Sequence, residues 1–567
     1  MSEATEAVTR FVTGSVQRPS GMAVHRYRAF TGPDLPDRRW PAQQIRSAPL
    51  WCSVDLRDGN QALVEPMDLP RKHRMFQQLV RMGYKEIEVG FPSASQIEFD
   101  FVRELIEGDL IPDDVTIQVI MQARAELIER SFDAIHGAPK AIIHLYNSVS
   151  PLQRRVVFNA DRPQILDLTV RAAQLITKLA DVHDGGPITF EYSPESFTAT
   201  ELDYSLEICD SVTEVWQPGT NRPMIVNLPA TVECTTANGF ADQVEWMHRN
   251  LSHREHICLS VHPHNDRGTA VAAAEFAVMA GAERIEGCLF GNGERTGNVD
   301  LVTLGMNLFS HGIDPMIDFS DLDAVGRVAR ECTQLPIHPR HPYAGDLVYT
   351  AFSGSHQDAI KKGLDALDEV ADAAGRSTAD IRWEVPYLPI DPKDVGRTYE
   401  AVIRVNSQSG KAGVAYLLRT EYGLNLPRQL QVEFCQVVQQ YTEDSASEVR
   451  PERLWELFTQ EYLRDGPRLR MLGHKAGAVD VELDGHAHRF TSTDPESFAS
   501  ALCGTGLDVH VLSLSSHRLN GKVVAYAECA VDGHSYWGVA IDDASAAKMR
   551  AVAGAVNSAP VPEYVAP

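Results

Sequence analysis

Eight short β-rich runs at regular separation constrain this chain more than any other feature. They are Trp51–Leu56, Glu86–Pro92, Thr116–Met121, Ala141–Asn147, Ile188–Ser193, Met224–Pro229, Ile257–His264 and Arg284–Gly291. Their starts lie 25 to 47 residues apart, room for a strand, a helix and two loops. The intervening segments carry helical patterns. Between the first two runs Met75, Leu79 and Met82 share a face, Asp68 is a candidate N-cap and Gly83 a stop. Eight such units in about 250 residues match the arithmetic of a (β/α)8 TIM barrel, an α/β fold. An open doubly wound sheet also alternates this way, but it requires a Gly-rich phosphate turn after its first strand. Here "RDGNQ" stands in that place.

A barrel makes a demand on the rest of the sequence, because its chemistry sits in the loops at the C-terminal ends of the strands. Polar residues fall there: Arg57 and Asp58 after strand one, His144 near the end of strand four, Ser193 and Glu195 after strand five. Thr231 follows strand six, His262 and His264 close strand seven, and Glu294, Arg295 and Asn298 follow strand eight. Residues i and i+2 of a strand share a face, so the two imidazoles of "VHPH" project together and can offer two nitrogens to one divalent ion. Asp58 is the expected carboxylate partner, since strand eight closes on strand one and brings it near strand seven. With a neutral oxygen from Asn298 the set suits Mg2+, Mn2+ or Zn2+. Arg57 offers a planar fork for a carboxylate or enolate oxygen. Ser193 and Thr231 are candidate hydroxyl donors, and Glu294 a base or the partner of one.

Beyond the barrel the pattern changes twice. The expected organisation is an arm over 1–50, a catalytic barrel over 51–325, helical linker subdomains over 326–475 and a C-terminal α+β domain over 476–567. The arm carries Pro19, Pro33, Pro36 and Pro41, and such arms often pack on a neighbouring subunit. "WEVPYLPIDPKDVG" at Trp383–Gly396 has too much proline to continue a helix. From about Ala476 the order reads strand, strand, helix, three strands, helix. Acids outnumber bases 77 to 52, for a net charge of −25, which disfavours a nucleic-acid partner. No apolar stretch approaches a membrane span. Nine scattered cysteines without a CxxC pair point to a reducing, cytoplasmic setting.

Taken together, "LRDGNQ", "NLPATVE", "HPHNDRG", "GCLFGNGERTGN" and "HPYAGDLVYTAFSGSHQDAI" resemble the α-isopropylmalate synthases in their longer bacterial form, in the right order over nearly the whole chain. The resemblance implies a Claisen-type condensation of acetyl-CoA with 3-methyl-2-oxobutanoate, giving 2-isopropylmalate and CoA, the first committed step of leucine synthesis. It implies a homodimer with a metal-dependent barrel, a linker subdomain and a leucine-sensing C-terminal domain. By matching motif, Asp58, His262, His264 and Asn298 correspond to the metal site, and Arg57, His144, Ser193, Glu195 and Thr231 to the oxoacid pocket. His356 and Tyr387 match residues that reach an active site from the post-barrel subdomains, with Glu294 the partner of His356.

Two departures carry expectations of their own. Where the family has Thr at the end of strand three this chain has Met121 in "QVIMQAR", a bulkier group that would reshape the oxoacid pocket or pack beside it. Where the regulatory domain usually has a GxGP loop, Phe490–Leu502 reads "FTSTDPESFASAL" without a glycine, so leucine affinity is expected to fall. The nearest alternative function is a sister condensing enzyme acting on another 2-oxoacid. A metal-dependent hydrolase would carry HxH after strand one rather than strand seven, and an inactive scaffold would have no reason to keep every proposed ligand type.

Overall fold

The computed structural model describes residues 26, 30, 32–220, 222–351, 353–399, 411–445, 449, 451–463, 466, 468–475, 477–492, 494–544 and 546–560. The chain divides into two compact units, Met1–Gly345 and Asp346–Pro567.

The first unit is a closed barrel of eight parallel strands in sequential order: β1 Leu50–Ser53, β2 Glu86–Gly90, β3 Thr116–Gln122, β4 Ala141–Ser148, β5 Ile188–Glu195, β6 Met224–Ala230, β7 Ile257–Pro263 and β8 Arg284–Gly287. Closure is made by β8 on β1, with Trp51 opposite Ile285 and Ser53 opposite Gly287. Each of the eight expected runs contains a strand, although the first ends at Ser53 and gives way to a helical turn from Asp55. The helix after β1 is Leu69–Met82, begun by the Asp68 side chain accepting from Arg71 N and ended by Gly83 in the left-handed region. Its buried face holds Met75, Leu79 and Met82, so the 3.6-residue period packs the helix on the barrel. The last strand is shorter than its run: Phe290 and Gly291 turn to positive φ and break the extension before Gly291.

Part of the arm is fastened to this chain's own barrel. Arg38 pairs with Asp242 at 2.8 Å, and Trp40 donates from its backbone N to Glu245 and from Nε1 to Asp242. Both acids lie on the barrel helix Ala237–Asn250, so this part of the arm packs on its own barrel. Pro19 lies outside the described residues.

The barrel interior is polar below its mouth. Glu88, Gln118, His144, Glu191, Asn227, Ser260, Arg284 and Glu286 are all buried. Arg284 is its centre: Nε donates to Glu86 at 2.5 Å, Nη1 to Glu286 at 2.9 Å and Ser260 at 3.0 Å, and Nη2 to Gln118 at 2.7 Å. Glu191 stands 3.4 Å from the same guanidinium. Buried charge on this scale survives only when paired and hydrogen-bonded.

The second unit opens with the helices Gly354–Ala374, Lys411–Tyr422, Arg428–Ser445 and Pro451–Tyr462. The proline-rich stretch is non-helical apart from a single turn, Pro392–Val395. Two three-stranded antiparallel sheets follow. The first contains β9 Leu469–Lys475, β10 Ala478–Leu483 and β11 His486–Thr491; the second contains β12 Val509–Leu519, β13 Lys522–Val531 and β14 His534–Asp542. Helices Pro495–Cys503 and Ala547–Ser558 complete it, so the order read from Ala476 onward holds and β9 precedes it. Val481, Phe498, Val509, Ala527 and Val552 share one core. Among the described residues no helix is long and apolar enough to cross a membrane.

Candidate active site

The sequence after β1 folds as a tight helical turn, Asp55–Gly59, which aims Arg57 and Asp58 into the mouth. Two contacts to the loop after β8 fix it. Leu289 N donates to both Asp55 oxygens at 3.1 Å, and Asn292 Nδ2 donates to Gly59 O at 3.0 Å. Burial pushes the Asp55 carboxyl up to about 7. The approach is tight at Gly59, where a Cβ would stand 3.1 Å from Asn292 Nδ2 and Cys288 Sγ and press on both side chains. On the other side of the contact Gly297 has φ +93, and a Cβ there would meet the Gly291 carbonyl at 1.8 Å. The glycines of "GNGERTGN" therefore allow the β8 loop to fold back over the end of β1.

This folding brings three of the expected ligands together. Asp58 Oδ2 lies 3.6 Å from His262 Nε2 and 3.5 Å from His264 Nε2. Two ligands about 2.1 Å from one tetrahedral ion stand roughly 3.4 Å apart, so the spacing fits a shared cation. Asn298 joins them: its Nδ2 donates to Asp58 Oδ2 at 2.8 Å, and its Oδ1 faces His262 Nε2 at 2.7 Å. Behind that ring, His262 Nδ1 is 2.8 Å from Glu286. An ionised carboxylate only accepts, so Nδ1 carries the proton and the Nε2 lone pair points at the Asn298 oxygen. Two acceptors face each other there, and only a proton or a metal ion can satisfy both. Burial opposes charging His262, but its bonds to Asp58 and Glu286 outweigh burial and raise the imidazole to about 9. His264 differs: burial, then the His262 charge, lowers it to about 4, and its Nδ1 is buried with no hydrogen-bond partner among the described residues. Burial works against the Asp58 anion as well, yet Arg57 and the two histidines hold its carboxyl well below the usual range.

A cavity of about 260 Å³ opens above the set. Arg57, Asp58, His144, Ser193, Glu195, Thr231, His262, His264 and Glu294 all line it, and Asn298 lies beneath, buried. Arg57 is clamped between Asp58, at 2.7 Å, and Glu88. Glu88 also accepts from His144 Nδ1 at 3.0 Å, and His144 Nε2 reaches Ser193 Oγ at 2.7 Å. His144 and Ser193 lie within β4 and β5 and Glu195 is the last residue of β5, so the strands rather than the loops hold them. Thr231 Oγ1 accepts from Ser196 N at 2.8 Å, and Glu195 accepts from Ser148. Gln61, Ile120, Tyr146, Asn227, Pro229 and Arg295 line the cavity too. Met121 does not. It is wholly buried, while its neighbour Ile120 shares the inward face with Gln118, whose amide bonds Glu88 and Glu286. The strand's period of two turns Met121 to the helical layer. His356 and Tyr387 belong to the second unit, where their rings stack at 4.0 Å.

Sequence reasoning passed over Glu88, Gln118, Arg284 and Glu286, which hold the cavity's residues from below. Their signal was present as a polar residue on the inward face of strand after strand, a pattern that a plain apolar core would not show.

The barrel with its candidate metal-ligand set points to a class. Residues 48–329 match the HMGL-like family profile, and 346–419 match the α-isopropylmalate synthase post-catalytic domain-like profile. The chain is 57% identical over 565 residues to a 2-isopropylmalate synthase of Parafrankia sp. (strain EAN1pec), covering 96% of this chain and 99% of that one. The corresponding enzyme of Thermobifida fusca is 56% identical over 96% and 99%, and that of Mycobacterium leprae 54% over 96% and 93%. The chain belongs to the 2-isopropylmalate synthase family.

Proposed function

We propose that this chain condenses acetyl-CoA with 3-methyl-2-oxobutanoate to 2-isopropylmalate and CoA. The observation that carries the reading is the Asp58–His262–His264–Asn298 set beside Arg57 at the floor of one cavity, in a chain of this family. Those four residues would hold the divalent metal, Mg2+ by the hardness of its oxygen partners, with Mn2+ and Zn2+ as competitors. When bound, the metal supplies Lewis acidity toward a 2-oxoacid.

The chain's own groups do the rest. Thr231 offers a hydroxyl donor to the oxoacid carboxylate, and Ser193, His144 and Glu195 border the same pocket. His356, with Glu294 as its partner and Tyr387 stacked on it, removes a proton from the acetyl methyl. The resulting carbanion forms a C–C bond to the ketone carbon as the C=O π pair moves onto oxygen, where Arg57 meets the charge until a proton, equivalent to the one removed by His356, completes the hydroxyl. Water then cleaves the thioester, leaving a carboxylate and CoA–SH. For His356 and Tyr387 to come from a second subunit the protein must be a homodimer, working in the cytoplasm on small molecules. Mixing an inactive barrel-site variant with an inactive His356 variant should then restore activity.

Free-thiol release from acetyl-CoA across a panel of 2-oxoacids, with and without a chelator, tests the whole reading. Chelator-sensitive release is expected with 3-methyl-2-oxobutanoate above all others. Preference for another oxoacid would assign the chain to a sister reaction, and release indifferent to chelation would overturn the metal role.

Leucine feedback is expected to be weak. The helix Pro495–Cys503 is capped by this chain's own carboxylate: Asp494 accepts from Ser497 N at 2.8 Å, and Ser492 Oγ donates to Asp494 O at 2.9 Å. Thr493 lies outside the described residues. An amino-acid carboxylate approaching this end meets Asp494 and Glu496 instead of open backbone donors. Losing one charge-assisted hydrogen bond costs about 1.5–3 kcal/mol, tenfold or more in affinity. Titrating leucine against condensation rate checks this, and inhibition at low micromolar leucine would contradict it.

A further inference from the structure

We propose that Glu286, held by Arg284, is a positioning residue that sets metal affinity through His262. The inference rests on the reading of Asp58, His262 and His264 as ligands. Glu286 is fully buried on β8 and does not line the cavity, so it has no route to substrate. One of its oxygens accepts from His262 Nδ1 at 2.8 Å and Asn227 Nδ2 at 3.1 Å. The other accepts from Arg284 Nη1 and Gln118 Nε2, both at 2.9 Å. Each donor is buried, so the carboxylate has one orientation available.

Three consequences follow for His262. Its proton is fixed on Nδ1, its Nε2 lone pair is directed toward Asp58 and Asn298, and the anion behind the ring strengthens that lone pair as a donor. Arg284 places its guanidinium 2.9 Å from the carboxylate as the counter-charge that such a buried anion needs. Among the described residues His264 has no counterpart to this brace: its Nδ1 is buried without a hydrogen-bond partner there. The two histidines that look equivalent in "HPH" are thus unequal, one braced from behind and one not. The bracing arises on a different strand, 24 residues further along the chain.

A double-mutant cycle on metal affinity tests this. Zn2+ dissociation constants are measured by chelator competition on the full-length protein for wild type, Glu286→Gln, His262→Ala and the double variant, with circular dichroism to check folding. Glu286→Gln is expected to weaken Zn2+ binding about 10–100-fold in the wild-type background and to have no further effect once His262 is Ala. Glu286→Asp keeps the charge but withdraws the carboxylate by one methylene. It should show the same cycle, and it serves in place of the Gln variant if that does not fold. An unchanged dissociation constant in Glu286→Gln overturns the proposal, as does an equal loss in both backgrounds, which would mark Glu286 as a general prop of the barrel. A wild-type chain that binds no Zn2+ would fail at an earlier point, overturning the ligand assignment itself.

Discussion

His264→Ala is expected to lower the condensation rate by about 10³-fold or more while leaving the fold in place. The imidazole is one of three groups converging on the shared centre, 3.5 Å from Asp58. Its loss removes a nitrogen that no neighbour can replace. Lewis-acid stabilisation is worth several kcal/mol, and about 4 kcal/mol corresponds to three orders of magnitude in rate. The cost to the fold should be small, about 1 kcal/mol. Among the described residues the ring makes no hydrogen bond through Nδ1, and with its ionisation lowered to about 4 it is neutral at pH 7. Rate, bound metal per chain and thermal midpoint together check the prediction. Tight metal binding with normal turnover would remove His264 from the ligand set.

Arg284→Met should have the largest effect on stability, about 3–5 kcal/mol by urea unfolding at neutral pH. Removing one partner of a buried ion pair leaves the other uncompensated, and here Glu86, Glu191 and Glu286 all face the same guanidinium. The pH dependence has a definite sign. In the wild type, burial works against the Glu286 anion, but Arg284 above all, with His262 and His144, holds its carboxyl well below the usual range. A depressed carboxyl contributes stability above its unfolded value near 4.5 and loses it as pH falls. Without Arg284 burial acts unopposed, and the carboxyls rise as Glu191 already does. A raised carboxyl favours the fold at low pH and opposes it at high pH. The gap between wild type and variant should therefore be wide at pH 7.5 and narrow on approaching pH 4.5. A constant gap, or one under about 1 kcal/mol, would show that the pairing contributes little.

The barrel was legible because β-rich runs and helical stripes are local signals, and each strand recorded its own. The mouth was legible for the same reason: Asp58, His262 and His264 sit where strands end. The layer beneath was not. "RIEG" in isolation reads as a charged, solvated strand end. Arg284 and Glu286 are buried only because eight strands close round them, and closure is a property of no single segment. The end of β8 was misjudged because Leu289–Gly291 continues an apolar pattern while its backbone turns. The helix cap at Asp494 is visible as D-P-E-S only when the next strand of the pattern is known to have ended.

The outward turn of Met121 carries a lesson for redesign. A substitution that stands out when two relatives are aligned can be silent to the ligand, because on a barrel strand every second position faces the helices. With the oxoacid seated in this cavity as proposed, altering the chain length accepted falls to Ile120 on β3, Tyr146 on β4 and Pro229 on β6, which line the cavity. Exchanging Met121 for Thr would instead hollow out the layer between strand and helix, trading rigidity for no gain in selectivity. The useful alphabet for tuning this enzyme is written on alternate letters of its strands.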